Sequence, residues 1–198
     1  MDLFSKSLFL NTSKTIGKNE TFRINNKNKN SYTFRKNYAF SMWIYVNPQQ
    51  SSYLPYSIET NIFDYGNGKP SIKYNGQNQT GKYRIQYSNN AATDTSSMTP
   101  ASTNSDFLID LPNQKWNYIV FNVNENTTDL FINGKLIKTI FTHKNNIATF
   151  SELDTVTVGD DHGVDGAICN IKYYKIPLSK YEISNSYNLL MYKNPPTQ

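Results

Sequence analysis

A chain of 198 residues is long enough for one domain with a sizeable core, and all-β sandwiches of this length fold as single units. Its single cysteine excludes an intrachain disulfide, and no apolar run approaches the roughly 18 residues that span a bilayer. The formal charge of +5 is uneven: residues 1–36 hold eight Lys or Arg against Asp2 and Glu20, whereas the remainder is nearly balanced.

The N-terminus, MDLFSKSLFLNTSK, lacks a basic start followed by a long apolar core, so no signal peptide is expected. The Asn-x-Ser/Thr triplets beginning at Asn11, Asn19, Asn78 and Asn126 then read as accidents of an Asn- and Thr-rich composition. The basic segment 1–36 is expected to lead into the domain as a polar arm. Lys14, Lys18, Arg23, Lys27, Lys29, Arg35 and Lys36 could contact an acidic partner surface, or they could simply be solvated. Its interleaved NNKNKN reads as a turn rather than as a platform for stacking bases, so nucleic acid is not the expected partner. Within the arm, TFRI (21–24) could form a first strand.

Tyr38 to Val46 alternates strongly. Phe40, Met42, Ile44 and Val46 share one face, and Ser41, Trp43 and Tyr45 share the other. Apolar character on both faces predicts a central strand covered on each side, or one side facing a partner, with Asn47-Pro48 ending it. Short strands follow at 61–65, 71–74 and 82–87, separated by Gly/Asn turns, and 88–105 reads as a long exposed loop. After a strand at 107–111, the segment 116–139 predicts a three-stranded antiparallel meander. Its second turn is Asn133-Gly134, whose residues tolerate the positive φ angles of a type I′ hairpin. Strands at 155–158 and 167–176 complete the pattern. Cys169 shares strand parity with Ala167, Ile171 and Tyr173 and reads as a small buried hydrophobe. One short C-terminal helix is predicted from the capping-box spacing Ser179-x-x-Glu182, with Ile183, Tyr187, Leu190 and Met191 on one face and Pro195-Pro196 beyond its end.

In order and spacing, FSMWIYV (40–46), WNYIVFNVN…DLFINGKLIKT (116–139) and VTVGDDHGVDGAICNIKYYKIPLSKYEI (156–183) resemble the laminin G-like and pentraxin-like branch of the concanavalin A-like lectin/glucanase superfamily. The resemblance implies an all-β, two-sheet antiparallel jelly roll over residues 37–192, flanked by the 1–36 arm and a Pro-containing tail at 193–198. The strand end Trp43, Tyr45, Asn47, Pro48 and the run Gly163, Gly166, Ile168, Cys169, Asn170 are further similar to lectin-like domains of large nucleocytoplasmic DNA virus proteins. That second likeness implies a non-enzymatic structural protein of a virus particle, a minor capsid component assembled in the host cytoplasm among other virion proteins. The alternative is a glycan-binding module for recognition or host attachment.

Glucanases of the superfamily carry their carboxylates in an E-x-D-x-x-E strand. The nearest match here, Glu152-Leu153-Asp154, has no second Glu, so hydrolysis is disfavoured. His143 and His162 are isolated from any triad or zinc spacing. Asp160, Asp161 and Asp165 lie in one Gly-rich turn and are the candidate calcium ligands, against the reading of a solvated turn; no other cofactor is expected. Sugar stacking would use exposed aromatic faces, with Trp43, Tyr45 and Tyr65 as the candidates and Tyr53 and Tyr56 beside them. Trp116 is expected in the core.

Overall fold

The computed structural model describes residues 6–10, 14–23, 37–87, 105–125, 127–141 and 154–197. Among them, two antiparallel sheets face each other. The first runs in the order β1 (Lys6–Leu10), β13 (Gly166–Tyr174), β4 (Tyr38–Val46), β9 (Asn117–Val123), β10 (Thr127–Ile132) and β11 (Lys135–Phe141), with β2 (Lys14–Thr15) also pairing β13. The second runs β3 (Glu20–Arg23), β12 (Thr155–Val158), β5 (Thr60–Tyr65), β6 (Ser71–Tyr74), β7 (Tyr83–Tyr87) and β8 (Ser105–Ile109). The expected two-sheet sandwich is therefore present, with the C-terminal helix α2 (Lys180–Leu190) appended. A single turn of helix, α1 (Leu54–Ser57), begins with Pro55 near its N-terminus, where a missing N–H costs nothing. No helix among the described residues is long and apolar enough to cross a membrane.

The period-2 pattern of β4 explains the layering. Tyr38, Phe40, Met42, Ile44 and Val46 point between the sheets, where Phe40 meets Phe63 at 5.4 Å, Tyr65 at 4.9 Å and Tyr173 at 5.2 Å between ring centroids. Ala39 and Trp43 point the other way, into a second apolar layer with Tyr118, Val120, Ile183 and Leu190 under α2. Both faces of β4 are thus covered from within the chain. Each fully buried side chain of this size contributes about 1.5–3 kcal/mol. Trp43 lies 4.9 Å from Tyr118 and 5.8 Å from Tyr187, so the helix is seated on an aromatic layer.

Local chemistry sets the turns. Asn133 and Gly134 have φ of 51° and 79°, as a two-residue type I′ loop between Ile132 and Lys135 requires. The Ser179 hydroxyl accepts from the Glu182 N–H at 3.3 Å, and the Glu182 carboxylate accepts from the Ser179 N–H at 2.7 Å, forming the capping box. Lys138 stands 4.4 Å over the Phe107 ring, joining the β11 edge of one sheet to the β8 edge of the other.

Three expectations are corrected. The segment 1–36 does not merely lead into the sandwich: β1, β2 and β3 pair with β13 and β12, so it supplies strands to both sheets. The tail past 192 is held too, since Trp116 Nε1 donates to Asn194 Oδ1 at 2.8 Å and Asn170 Nδ2 donates to the Pro196 carbonyl at 3.4 Å. Trp116 is accordingly part-exposed against the outer layer rather than central in the core. Cys169 is buried, but not beside Ile171 and Tyr173. A bulge between Cys169 and Lys172, with Asn170 at φ 52°, inverts the alternation. Cys169 faces the layer under α2, whereas Ile168, Ile171 and Tyr173 face the inter-sheet core. Residues 88–104, most of the predicted exposed loop, lie outside the described residues; Ser105 belongs to β8.

Candidate ligand-binding cleft

Where β4 ends and β13 begins, three segments converge. They are residues 16–19, the stretch 47–57 that follows β4, and the 159–165 turn between β12 and β13. Asn47 N–H donates to the Asp165 carbonyl at 2.9 Å, and Ile16 N–H to the Gly166 carbonyl at 3.2 Å. The backbones approach so closely that a Cβ on Gly166 would stand 2.3 Å from the Tyr45 carbonyl oxygen, which is why glycine occupies that position. Gly159 has φ 74° and admits the start of the turn.

The segments enclose a cleft of about 530 Å³ lined by Gln49, Ser52, Tyr53, Leu54, His162 and Asp165, with glycine, proline and valine between them. Tyr53 is 49% and Leu54 48% exposed, giving an apolar wall. Asp165 is locked in place. Its N–H donates to Gln49 Oε1 at 2.9 Å, its carbonyl accepts from Gln49 Nε2 at 3.1 Å, and its Oδ2 accepts from Asn47 Nδ2 at 3.1 Å. Gln49 Nε2 also donates to the Asn47 carbonyl at 2.5 Å. The Gln49 amide is therefore engaged with backbone on all sides and acts as a brace.

A second groove, about 410 Å³, involves Asn61, Asp64, Asn67, Lys73, Thr157 and Asp160, around β5 and β12. Its lining side chains are polar or charged, apart from Gly159. Burial raises the Asp64 carboxyl above its ordinary range, although its Oδ2 accepts from the Asn67 N–H at 3.1 Å.

The residues singled out from the sequence fare unequally. Trp43 and Tyr65 are each 1% exposed, so neither can offer a ring face to a sugar; their apolar surface belongs to the two core layers. Tyr45 is half-buried, with its ring 5.5 Å from Trp116. Tyr53 does line the cleft. Asp160, Asp161 and Asp165 diverge instead of converging: Asp160 Oδ2 accepts from Asn61 N–H at 3.2 Å, Asp161 is exposed, and Asp165 turns to Asn47. Among the described residues no group of three or more His, Cys, Asp or Glu is placed to hold a metal, so the calcium candidates do not form a site.

Asp154, from the glucanase-like match, is the counter-ion of Lys69. The ammonium donates to both its oxygens at 3.2 and 3.0 Å in a pair that is 5% and 11% exposed. Breaking such a buried pair costs about 3–5 kcal/mol, which is a structural role. Glu152 and His143 lie outside the described residues. Of the basic arm, Lys14 pairs with Glu20 at 3.1 Å, Lys18 is exposed and Arg23 ends β3. Lys27, Lys29, Arg35 and Lys36 lie outside the described residues. Sequence reasoning missed Gln49, Ser52, Leu54 and His162. The available signal was a Gln- and Ser-rich stretch after Asn47-Pro48 that ends in an exposed Tyr-Leu.

The family model described as the Concanavalin A-like lectin/glucanases superfamily matches residues 17–184. No match was found among curated proteins. Among solved structures, the chain is similar to the botulinum neurotoxin serotype D ligand binding domain in complex with N-acetylneuraminic acid, with a TM-score of 0.65 at 15% identity, covering 93% of this chain and 46% of that one. It is likewise similar to the receptor binding domain of botulinum neurotoxin D, with a TM-score of 0.64 at 15% identity over 93% and 47%. The receptor binding domain of the mosaic serotype C/D, with tetraethylene glycol on its Hcn sub-domain, gives 0.63 at 14% over 93% and 45%. The chain spans under half the length of these structures, and at such identities the likeness establishes the fold. With the family model covering most of its length, the chain belongs to the concanavalin A-like lectin/glucanases superfamily in its laminin G-like form.

Proposed function

We propose that this chain is a non-enzymatic carbohydrate-recognition module whose ligand lies in the cleft between Tyr53 and Asp165. The observation that carries the reading is the pairing of an exposed apolar wall with a fixed hydrogen-bond acceptor in one cleft. A sugar presents a C–H face that packs on an apolar or aromatic surface and hydroxyls that must be met by polar groups. Tyr53 and Leu54 supply the first, while Asp165, Ser52 and His162 supply the second. The arrangement is braced by main-chain bonds, so little order has to be acquired on binding. Catalysis draws no support, because Asp154 is neutralised by Lys69. The virion-component reading rests on the sequence resemblance alone.

The test is binding of immobilised glycans to the whole chain and to Tyr53→Ala. Removing the ring should weaken binding at least about tenfold, ~1.4 kcal/mol, with unchanged near-ultraviolet circular dichroism because Tyr53 is outside both core layers. Absence of binding to any glycan on a broad array, by protein shown to be folded, would sink the proposal.

A further inference from the structure

We infer that the cleft selects uncharged sugars and discriminates against anionic ones. The inference rests on the carbohydrate reading above and adds the charge class of the ligand. The deciding group is the Asp165 carboxylate. Asn47 Nδ2 donates to its Oδ2 at 3.1 Å, which leaves Oδ1 to accept from a ligand. The Gln49 side chain cannot substitute for it, since its oxygen accepts from Asp165 N–H and its amide hydrogens go to the Asp165 and Asn47 carbonyls. An ionised carboxylate only accepts hydrogen bonds, and bonds to it are stronger than those between neutral groups. Sugar hydroxyls can donate to it. A carboxylate or sulfate on the ligand has no hydrogen to donate and brings a like charge.

The surroundings reinforce that sign. Among the described residues no Lys or Arg lines the cleft; Lys18 follows the lining residue Gly17 but is not itself part of the lining. Asp160 and Asp161 sit on the same turn as Asp165 and add negative field. His162 and Tyr53 are the other titratable lining side chains. Tyr53, Leu54 and Pro55 complete the lining with uncharged surface. Two like charges about 4 Å apart repel enough, even at the dielectric constant of water, to weaken binding about fivefold, and partial desolvation increases the factor. Ionic strength of about 0.1 M or more would mask part of it.

The experiment compares neutral oligosaccharides with sialylated and sulfated versions of the same cores, at low salt, on wild type, Asp165→Asn and Asp161→Asn. Wild type should prefer the neutral members at least about fivefold. Asp165→Asn keeps an oxygen for Asn47 but removes the charge, so the preference should fall towards unity while neutral ligands also weaken. Asp161→Asn, exposed and outside the lining, should lower the preference far less than Asp165→Asn does. If sialylated or sulfated glycans bind wild type as well as or better than their neutral cores, the charge inference is overturned while the carbohydrate reading stands. If the preference survives in Asp165→Asn, Asp165 is not its source and the inference fails. If no glycan binds, both fail.

Discussion

Asn122 offers a direct test of how α2 is attached to the sandwich. This β9 residue is 6% exposed, and its side chain clasps one peptide unit of the segment entering the helix. Asn122 Nδ2 donates to the Leu178 carbonyl at 2.7 Å, and Leu178 N–H donates to Asn122 Oδ1 at 2.7 Å. Leu178 is itself 7% exposed, so water cannot readily replace the amide. Asn122→Ala therefore leaves a buried donor and a buried acceptor unmet, at about 1–3 kcal/mol each. The expected loss is about 2–6 kcal/mol, which for a chain of this length corresponds to a fall in Tm of roughly 4–24 °C. Thermal unfolding followed by circular dichroism measures the loss. Tryptophan emission reports locally, because Trp43 at 1% exposure is covered by Tyr187 of α2. A variant within about 0.5 kcal/mol of wild type, with unshifted emission, would refute the reasoning: the clasp would then be incidental and apolar packing alone would seat the helix.

Two further outcomes are expected. Burial pushes the Cys169 thiol up to about 12, so a thiol reagent at pH 8 should label the native chain far more slowly than the urea-unfolded chain; rapid native labelling would contradict its placement beneath α2 and the Pro196 segment. Burial also raises Asp64, so its neutral form is favoured on folding and its contribution to stability is fully present below the unfolded value and lost as pH rises through the folded one. Wild type should accordingly gain stability relative to Asp64→Asn between neutral pH and about pH 4, measured as urea midpoints, and a flat difference would refute the desolvation argument.

What could be read from the sequence was local or strictly periodic. The alternation of β4 is written in consecutive residues, the Asn133-Gly134 turn in a dipeptide, and the capping box in four residues. What could not be read depends on pairing across the chain. Lys14–Thr15 carries no strand pattern of its own and becomes a strand because β13 offers it a partner. Parity alone places the Cys169 side chain on the wrong face, because parity fails at a bulge and one extra residue at Asn170 inverts every position after it. The cleft needs Gly166 against Val46, a pairing 120 positions apart, before Gln49 can reach Asp165. Residue type alone points to Trp43 and Tyr65 as sugar platforms, yet the largest aromatic surfaces are those the core claims first.

The same layering indicates why the cleft lies at the rim. The outer face of the β4 sheet lies under α2, and the space between the sheets is filled by interlocking aromatic rings. On the other sheet, Lys73 pairs with Glu59 at 3.5 Å, Arg84 with Glu59 at 3.1 Å, and Arg84 with Asp106 at 3.8 Å. Solvated pairs of this kind are worth little individually, but together they leave that face polar and internally neutralised. Exposed apolar side chains also occur on the edge strand β11, at Leu136, Ile137 and Phe141, where Lys135 and Lys138 interrupt them. Tyr53 and Leu54 differ because they share a cleft with Asp165, whose carboxylate is held by Asn47 and whose main chain is held by Gln49. Apolar contact alone would select any greasy partner, and the carboxylate alone any donor. A ligand with a C–H face and hydroxyls, as proposed above, satisfies both, and that combination distinguishes the cleft from the other exposed apolar patches.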